Sequence, residues 1–262
     1  MNGAHRYEDI RVEEDGGATW ITIDREEAGN KFREQTVIEL ADALRSFRSR
    51  SSARVAILTG AGRKFFCIGG EHDHSDLNDY SAVLSIIDVY ELIDSIPKPI
   101  IAAVNGFAVG GGNVLHTICD LSIASDSAVF RQVGPLVGSF DAGYGTWYLE
   151  DTIGRKRAKE MWFLNHKYSA SQALEMGLVN EVVPAAELES RVREIAEELQ
   201  LRGPGALAGL KAAFSARHTG VSGQARLGHD QLLTRYLSSQ EAEEMQASFQ
   251  GRRPPEPEKL LR

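Results

Sequence analysis

Two glycine-rich stretches, Phe66-Cys67-Ile68-Gly69-Gly70-Glu71 and Val109-Gly110-Gly111-Gly112-Asn113, present backbone N–H groups that no side chain shields. The triplet follows an apolar run and opens an apolar-periodic stretch, so its free N–H groups stand at the positive end of a helix dipole. A lone Gly-Gly-Gly also reads as a tight strand-to-helix turn. A second glycine turn at another strand end tips the reading toward an oxyanion hole, a pair of donors that stabilises an enolate or a tetrahedral adduct of a thioester. Further along, Val137-Gly138-Ser139-Phe140-Asp141-Ala142-Gly143-Tyr144-Gly145 carries a carboxylate and a hydroxyl in a loop, although aspartate in such a loop also caps turns. His72, Asp73, His74 and Asp76 have the chemistry of metal ligands, but i, i+2 spacing without a distant third ligand predicts no metal site. Cys67 and Cys119 lie in apolar segments without paired spacing, which predicts buried, reduced thiols rather than nucleophiles.

The elements that must position these groups follow from periodicity. Ile10-Arg11-Val12 and Ala18 to Asp24 alternate around Glu14-Asp15-Gly16-Gly17, a β-hairpin pattern. Apolar residues recur at three and four from Thr36 to Phe47, a helix, and Val55 to Thr59 is a buried strand ending in Gly60-Ala61-Gly62. Residues 71 to 81 are polar and read as a mobile loop before a helix over Val83 to Ile96, which Pro97-Lys98-Pro99 breaks. Ile100 to Val104 is a second buried strand leading to the triplet, Val114 to Cys119 a short buried helix, and Leu121 to Ala124 a third strand. Helical patterns follow at 156–164, 170–176, 186–199, 205–216 and 224–236, and the proline-bearing tail from Arg252 to Arg262 reads as extended. Strand, glycine turn, helix, strand is an α/β rhythm.

A chain of 262 residues with no internal repeat suits one large domain with a helical tail. With 29 Lys+Arg against 37 Asp+Glu the net charge is -8, which disfavours nonspecific attraction to nucleic acid or an anionic membrane. The N-terminus has no apolar h-region and no run approaches a membrane span, so a soluble cytoplasmic protein is expected.

Five ordered motifs carry a family resemblance: Phe66-Cys67-x-Gly69-Gly70-Glu71, Pro97-Lys98-Pro99-Ile100-Ile101-Ala102, Asn105-Gly106-Phe107-Ala108-Val109-Gly110-Gly111-Gly112, Cys119-Asp120-Leu121, and Ala173-x-x-Met176-Gly177-Leu178-Val179-Asn180. Together they resemble the crotonase (enoyl-CoA hydratase/isomerase) superfamily. The resemblance implies a spiral of β-β-α repeats over residues 1–200 that carries the CoA and oxyanion site, and a C-terminal helical trimerisation region over 201–262. It implies a CoA thioester substrate with no other tightly bound cofactor, an oxyanion hole from the N–H groups of Gly70 and Gly111, and a trimer or dimer of trimers. Substrate and CoA contacts are implied for Arg33, Ile68, Gly69, Glu71, His72, Phe107, Val109, Gly110, Val133 and Arg252, with Glu71 bracing the oxyanion loop rather than reacting.

Hydratases of this superfamily handle water with two glutamates. The matching positions here hold Val114 and, in Gln132-Val133-Gly134-Pro135, Gly134. Neither transfers a proton, so simple hydration of an enoyl-CoA is not expected. The stretch Val137 to Gly145, with Glu160-Met161-Trp162-Phe163-Leu164, resembles the 1,4-dihydroxy-2-naphthoyl-CoA synthases. That likeness implies Asp141 and Ser139 at the reacting carbon, a bicarbonate held by Gln132, Gly134 and Trp162, a loop tyrosine (Tyr80) and a tyrosine from a neighbouring subunit (Tyr236). Gly112-Asn113-Val114-Leu115-x-Thr117-Ile118-Cys119-Asp120-Leu121 is equally similar to the 2-ketocyclohexanecarboxyl-CoA hydrolases, which open a ring rather than close one. Where the synthases carry histidine this chain has Asn113, and the loop after Gly70 is acidic rather than basic.

Overall fold

The computed structural model describes residues 7–71, 86–140, 144–231 and 238–259. The chain forms two compact units, residues 1–211 and 212–262. The division falls after Lys211, inside a helix.

In the first unit, β1 (Ile10–Asp15) and β2 (Ala18–Ile23) make the expected antiparallel hairpin, with Ile10 opposite Ile23 and Asp15 opposite Ala18. Gly16 and Gly17 turn the chain at φ of 55° and 88°, values that glycine adopts without strain. Helix α1 (Glu34–Ser49) buries Val37, Leu40, Ala41, Leu44 and Phe47, the stripe its spacing predicts.

Three successive β-β-α turns follow. The first is β3 (Val55–Gly60), β4 (Phe65–Cys67) and α2, described as Ile86–Ser95. The second is β5 (Ile100–Val104), β6 (Phe107–Val109) and α3 (Gly111–Ile118); the third is β7 (Leu121–Ser125), β8 (Val129–Arg131) and α4 (Tyr144–Ile153). Each turn gives its first strand to one sheet and its second to another. With β9 (Tyr168–Ser169) and β10 (Glu181–Val183), the sheets have the orders β1-β2-β3-β5-β7-β10 and β4-β6-β8-β9. All neighbours pair in parallel except β1 with β2 and β8 with β9.

The larger sheet is covered on both sides, which is why its central strands are apolar throughout rather than alternating. Ile100, Ala102 and Val104 face the cluster that includes α1, α2 and α3, while Ile101 and Ala103 face Leu188, Val192 and Ala196 of α7 (Leu188–Gln200). Two more helices, α5 (Arg155–Leu164) and α6 (Ala170–Glu175), complete the unit before α8 (Pro204–Gln231) begins.

The second unit holds the rest of α8 and α9 (Gln240–Gly251). The two helices expected over 205–216 and 224–236 are one element up to Gln231, broken by non-helical backbone at Gly220 (φ 51°, ψ -129°). The tail is not wholly extended: Pro257–Lys259 forms a short helical turn near the buried Glu244, which bonds Arg253 at 2.6 Å. Among the described residues no helix is long and apolar enough to cross a membrane.

Candidate active site

The first glycine turn is pinned by a single parallel bridge. The Phe32 N–H donates to Gly69 O (3.0 Å) and the Glu71 N–H donates to Phe32 O (2.9 Å). Gly70 sits between those two bonds, so its own N–H points away from Phe32. In the second turn Gly110 N donates to Arg131 O (2.9 Å), extending the β6–β8 ladder, and Gly110 O receives the first helical bond from Val114 N (3.1 Å). Gly111 thus begins α3, where N–H groups have no acceptor within the helix. Neither the Gly70 nor the Gly111 N–H donates to a backbone carbonyl among the described residues.

The two turns meet. A Cβ on Gly69, which has φ of 95°, would lie 3.3 Å from the Gly111 nitrogen. The Phe32 ring packs against both donors: a Cβ on Gly70 would come within 2.9 Å of it and one on Gly111 within 2.6 Å. Behind Gly111, the Tyr90 hydroxyl donates to Gly111 O at 3.4 Å.

Both donors line a cavity of ≈390 Å³, together with Ile68, Gly69, Glu71, Gly110, Gln132, Val133, Gly134, Ser139 and Trp162 of the expected set. Its apolar wall comes from Phe32, Ile86, Ile87, Val114, Val137 and Phe140. Gly134 is tightly held: a Cβ there would lie 2.9 Å from Ser139 O and 3.2 Å from Phe140 Cα. Gln132 is 1% exposed, and its Oε1 and Nε2, like the Trp162 Nε1, are buried without a hydrogen-bond partner among the described residues.

Glu71 is the only carboxylate lining this cavity among the described residues, and its Oε1 is 2.8 Å from Arg25 Nη2. Arg25 also donates to Lys31 O (2.6 Å) and lies 3.5 Å from Asp9. Burial pushes the Asp9 carboxyl up, but hydrogen bonds from Arg33 and Thr36 and the charges of Arg25 and Arg33 outweigh it and hold the group below its usual range. Beneath the hole, His116 is buried between Ser122 Oγ and the Asn113 amide, each 3.1 Å away, and burial pushes its imidazole down to about 3. Burial pushes the Cys67 thiol up to about 12, as suits a packing residue.

Three expected contact residues of the first unit, Arg33, Phe107 and Val109, do not line this cavity. Arg33 forms a fork on Asp9 (2.7 and 2.8 Å) and reaches Glu8 (2.6 Å). Phe107 packs on Phe65 at 6.0 Å between ring centres, and Val109 is spent in the β6–β8 ladder. Arg252 belongs to the second unit, at the left-handed C-terminus of α9. His72, Tyr80, Asp141 and Tyr236 lie outside the described residues. Tyr90 and Phe32 are cavity residues that the expected site set lacked. Tyr90 falls on an amphipathic helix, where an aromatic reads as core, and only the approach of α2 to Gly111 reveals it.

The fold thus brings the Gly70 and Gly111 N–H groups to one cavity, an arrangement that can hold an oxygen as it gains negative charge. A family model described as enoyl-CoA hydratase/isomerase matches residues 13–259. An enoyl-CoA hydratase from Bacillus anthracis is similar in structure at a TM-score of 0.74 and 31% identity, covering 95% of this chain and 98% of that one. An enoyl-CoA hydratase from Polaromonas sp. JS666 matches at 0.74 and 29% identity (94% and 98% covered), and a Geobacillus kaustophilus protein named as an enoyl-CoA hydratase subunit at 0.74 and 29% (95% and 98%). The chain belongs to the enoyl-CoA hydratase/isomerase family, within the crotonase superfamily.

Proposed function

We propose that this chain makes or breaks a carbon–carbon bond beta to a CoA thioester through an enolate, most simply by ring closure of the 1,4-dihydroxy-2-naphthoyl-CoA synthase kind. The observation that carries the reading is the cavity wall where a hydratase keeps its glutamates. Val114 is apolar, and Gly134 has no room for a side chain beside Ser139 and Phe140. The similar structures are named hydratases, but adding water to an enoyl thioester needs groups that pass protons, and these two positions offer none.

In this reading the Gly70 and Gly111 N–H groups hold the thioester oxygen as negative charge develops, Asp141 takes the α-proton, and the Ser139 hydroxyl donates to the carbonyl under attack. Tyr80 and a neighbouring subunit's Tyr236 complete the site of a homo-oligomer. The unpartnered Gln132 amide and Trp162 Nε1 fit an anion such as bicarbonate, with Gly134 beside them. When bound, it supplies a second proton acceptor.

Ring opening of a 2-oxocycloalkanecarboxyl-CoA uses the same parts in reverse with water. Asn113 favours it, since the synthases carry histidine there. Incubation with o-succinylbenzoyl-CoA and, separately, 2-oxocyclohexanecarboxyl-CoA distinguishes the two. Turnover of neither removes both substrates. Asp141→Asn is expected to lower turnover of the accepted substrate by orders of magnitude while CoA-ester binding persists; near-normal turnover would remove Asp141 from the mechanism.

A further inference from the structure

A carboxylate stands at the rim of a hole built for negative charge. Glu71 directly follows Gly70, lines the same cavity, and spends its backbone N–H on Phe32 O. Left uncompensated, its charge would oppose an oxyanion at the Gly70 N–H, because like charges a few ångströms apart in a partly desolvated cavity repel strongly. Its partner is Arg25, whose side chain is only 12% exposed and does not itself line the cavity.

Arg25 is not free to move. Its backbone N–H donates to Asn30 Oδ1 (3.0 Å), its Nη1 to Lys31 O (2.6 Å), and its Nη2 meets Glu71 (2.8 Å). Asn30 in turn donates to Ala61 O (3.0 Å) and Phe65 O (2.8 Å), tying this turn to the strand that leads into the glycines. The other anion near Arg25, Asp9, is already satisfied by the Arg33 fork and by Thr36 Oγ1 at 2.6 Å. Of its two ion pairs, Arg25 therefore makes the closer one with the rim carboxylate, at 2.8 Å against 3.5 Å to Asp9.

The geometry points to Arg25 as an electrostatic positioning residue. It neutralises Glu71 so that this rim carboxylate adds no net negative charge beside the Gly70 donor, and so raises the affinity of the hole for an enolate rather than for a neutral thioester. This deepens the function proposed above and rests on it.

The test uses acetoacetyl-CoA, a β-keto thioester that loses its C2 proton to give an enolate with its own ultraviolet band. The enolate fraction bound at fixed pH is titrated for the intact protein and for Arg25→Met, Glu71→Gln and the double variant, with CoA affinity measured alongside. Arg25→Met is expected to weaken enolate binding about tenfold or more with CoA affinity little changed. Glu71→Gln, which removes the like charge and keeps Arg25, should tighten enolate binding, and the double variant should recover most of the loss. Equal losses in both single variants without recovery in the double would overturn the inference and make the pair a purely structural brace. If Arg25→Met does not fold, Glu71→Gln decides alone, since unchanged or weaker enolate binding contradicts the inference. Absence of an enolate band with the intact protein would instead overturn the oxyanion function itself, and the inference with it.

Discussion

Phe32 sets the spacing of the two donors. Its ring fills the space that side chains at Gly70 and Gly111 would need, so the hole tolerates no Cβ at either position. Gly111→Ala is expected to lower kcat/KM at least about a hundredfold, the usual scale for losing one oxyanion donor. Adding Phe32→Leu should recover part of that loss by making room, and failure to recover any would show that the ring does not set the spacing. Gly134 works differently, since its Cβ would strike backbone rather than a side chain. Gly134→Ala should displace the Ser139 segment and cut kcat more than tenfold, with CoA binding retained in isothermal titration. An unchanged kcat would argue against Ser139 as the donor to the second carbonyl.

At the scale of elements, α3 carries the hole and its underside is fixed by His116. The imidazole is held neutral by burial, at about 3 against an ordinary value of 6.5. The unfolded chain takes up that proton first, so the contribution of His116 to stability is complete above pH 6.5 and is lost as the pH falls toward 3, by about 1.4 kcal/mol per unit. In urea titrations the stability gap between the native protein and His116→Phe should therefore narrow by that amount per unit below pH 6.5; parallel pH profiles would contradict it. Helix α2, which lines the cavity, is joined to α4 by the Tyr148 hydroxyl donating to Asp94 Oδ1. Tyr148→Phe withdraws a donor from a buried carboxylate and should cost about 2 kcal/mol in the same assay.

Much of this architecture was legible because long elements repeat a pattern. The hairpin, α1, β3, β5 and α7 follow directly from alternation or from three-and-four spacing. Strands β4, β6, β8, β9 and β10 have only two or three residues, too few for any period, and they exist because neighbouring strands of the spiral supply their partners. The triplet consequently follows β6 rather than β5. In the cavity lining, the glycine turns were readable from type and order, and Ser139 only from the family resemblance. Tyr90 and the Arg25–Glu71 pair were not, because nothing local distinguishes a core tyrosine or a surface arginine from one aimed at a distant turn.

For the whole molecule, the proposed neighbour contribution from Tyr236 requires assembly. Light scattering is expected to give three or six times the 28.7 kDa chain mass, and a monomer would exclude a shared site. Product mass separates carbon–carbon chemistry at the hole from hydration. The protein is incubated with o-succinylbenzoyl-CoA, 2-oxocyclohexanecarboxyl-CoA and crotonyl-CoA in separate reactions. Ring closure removes one water from the first, ring opening adds one to the second, and hydration adds one to the third. Turnover of the first or the second is expected, with crotonyl-CoA essentially unchanged; rapid hydration of crotonyl-CoA with both of the other thioesters untouched would contradict carbon–carbon chemistry.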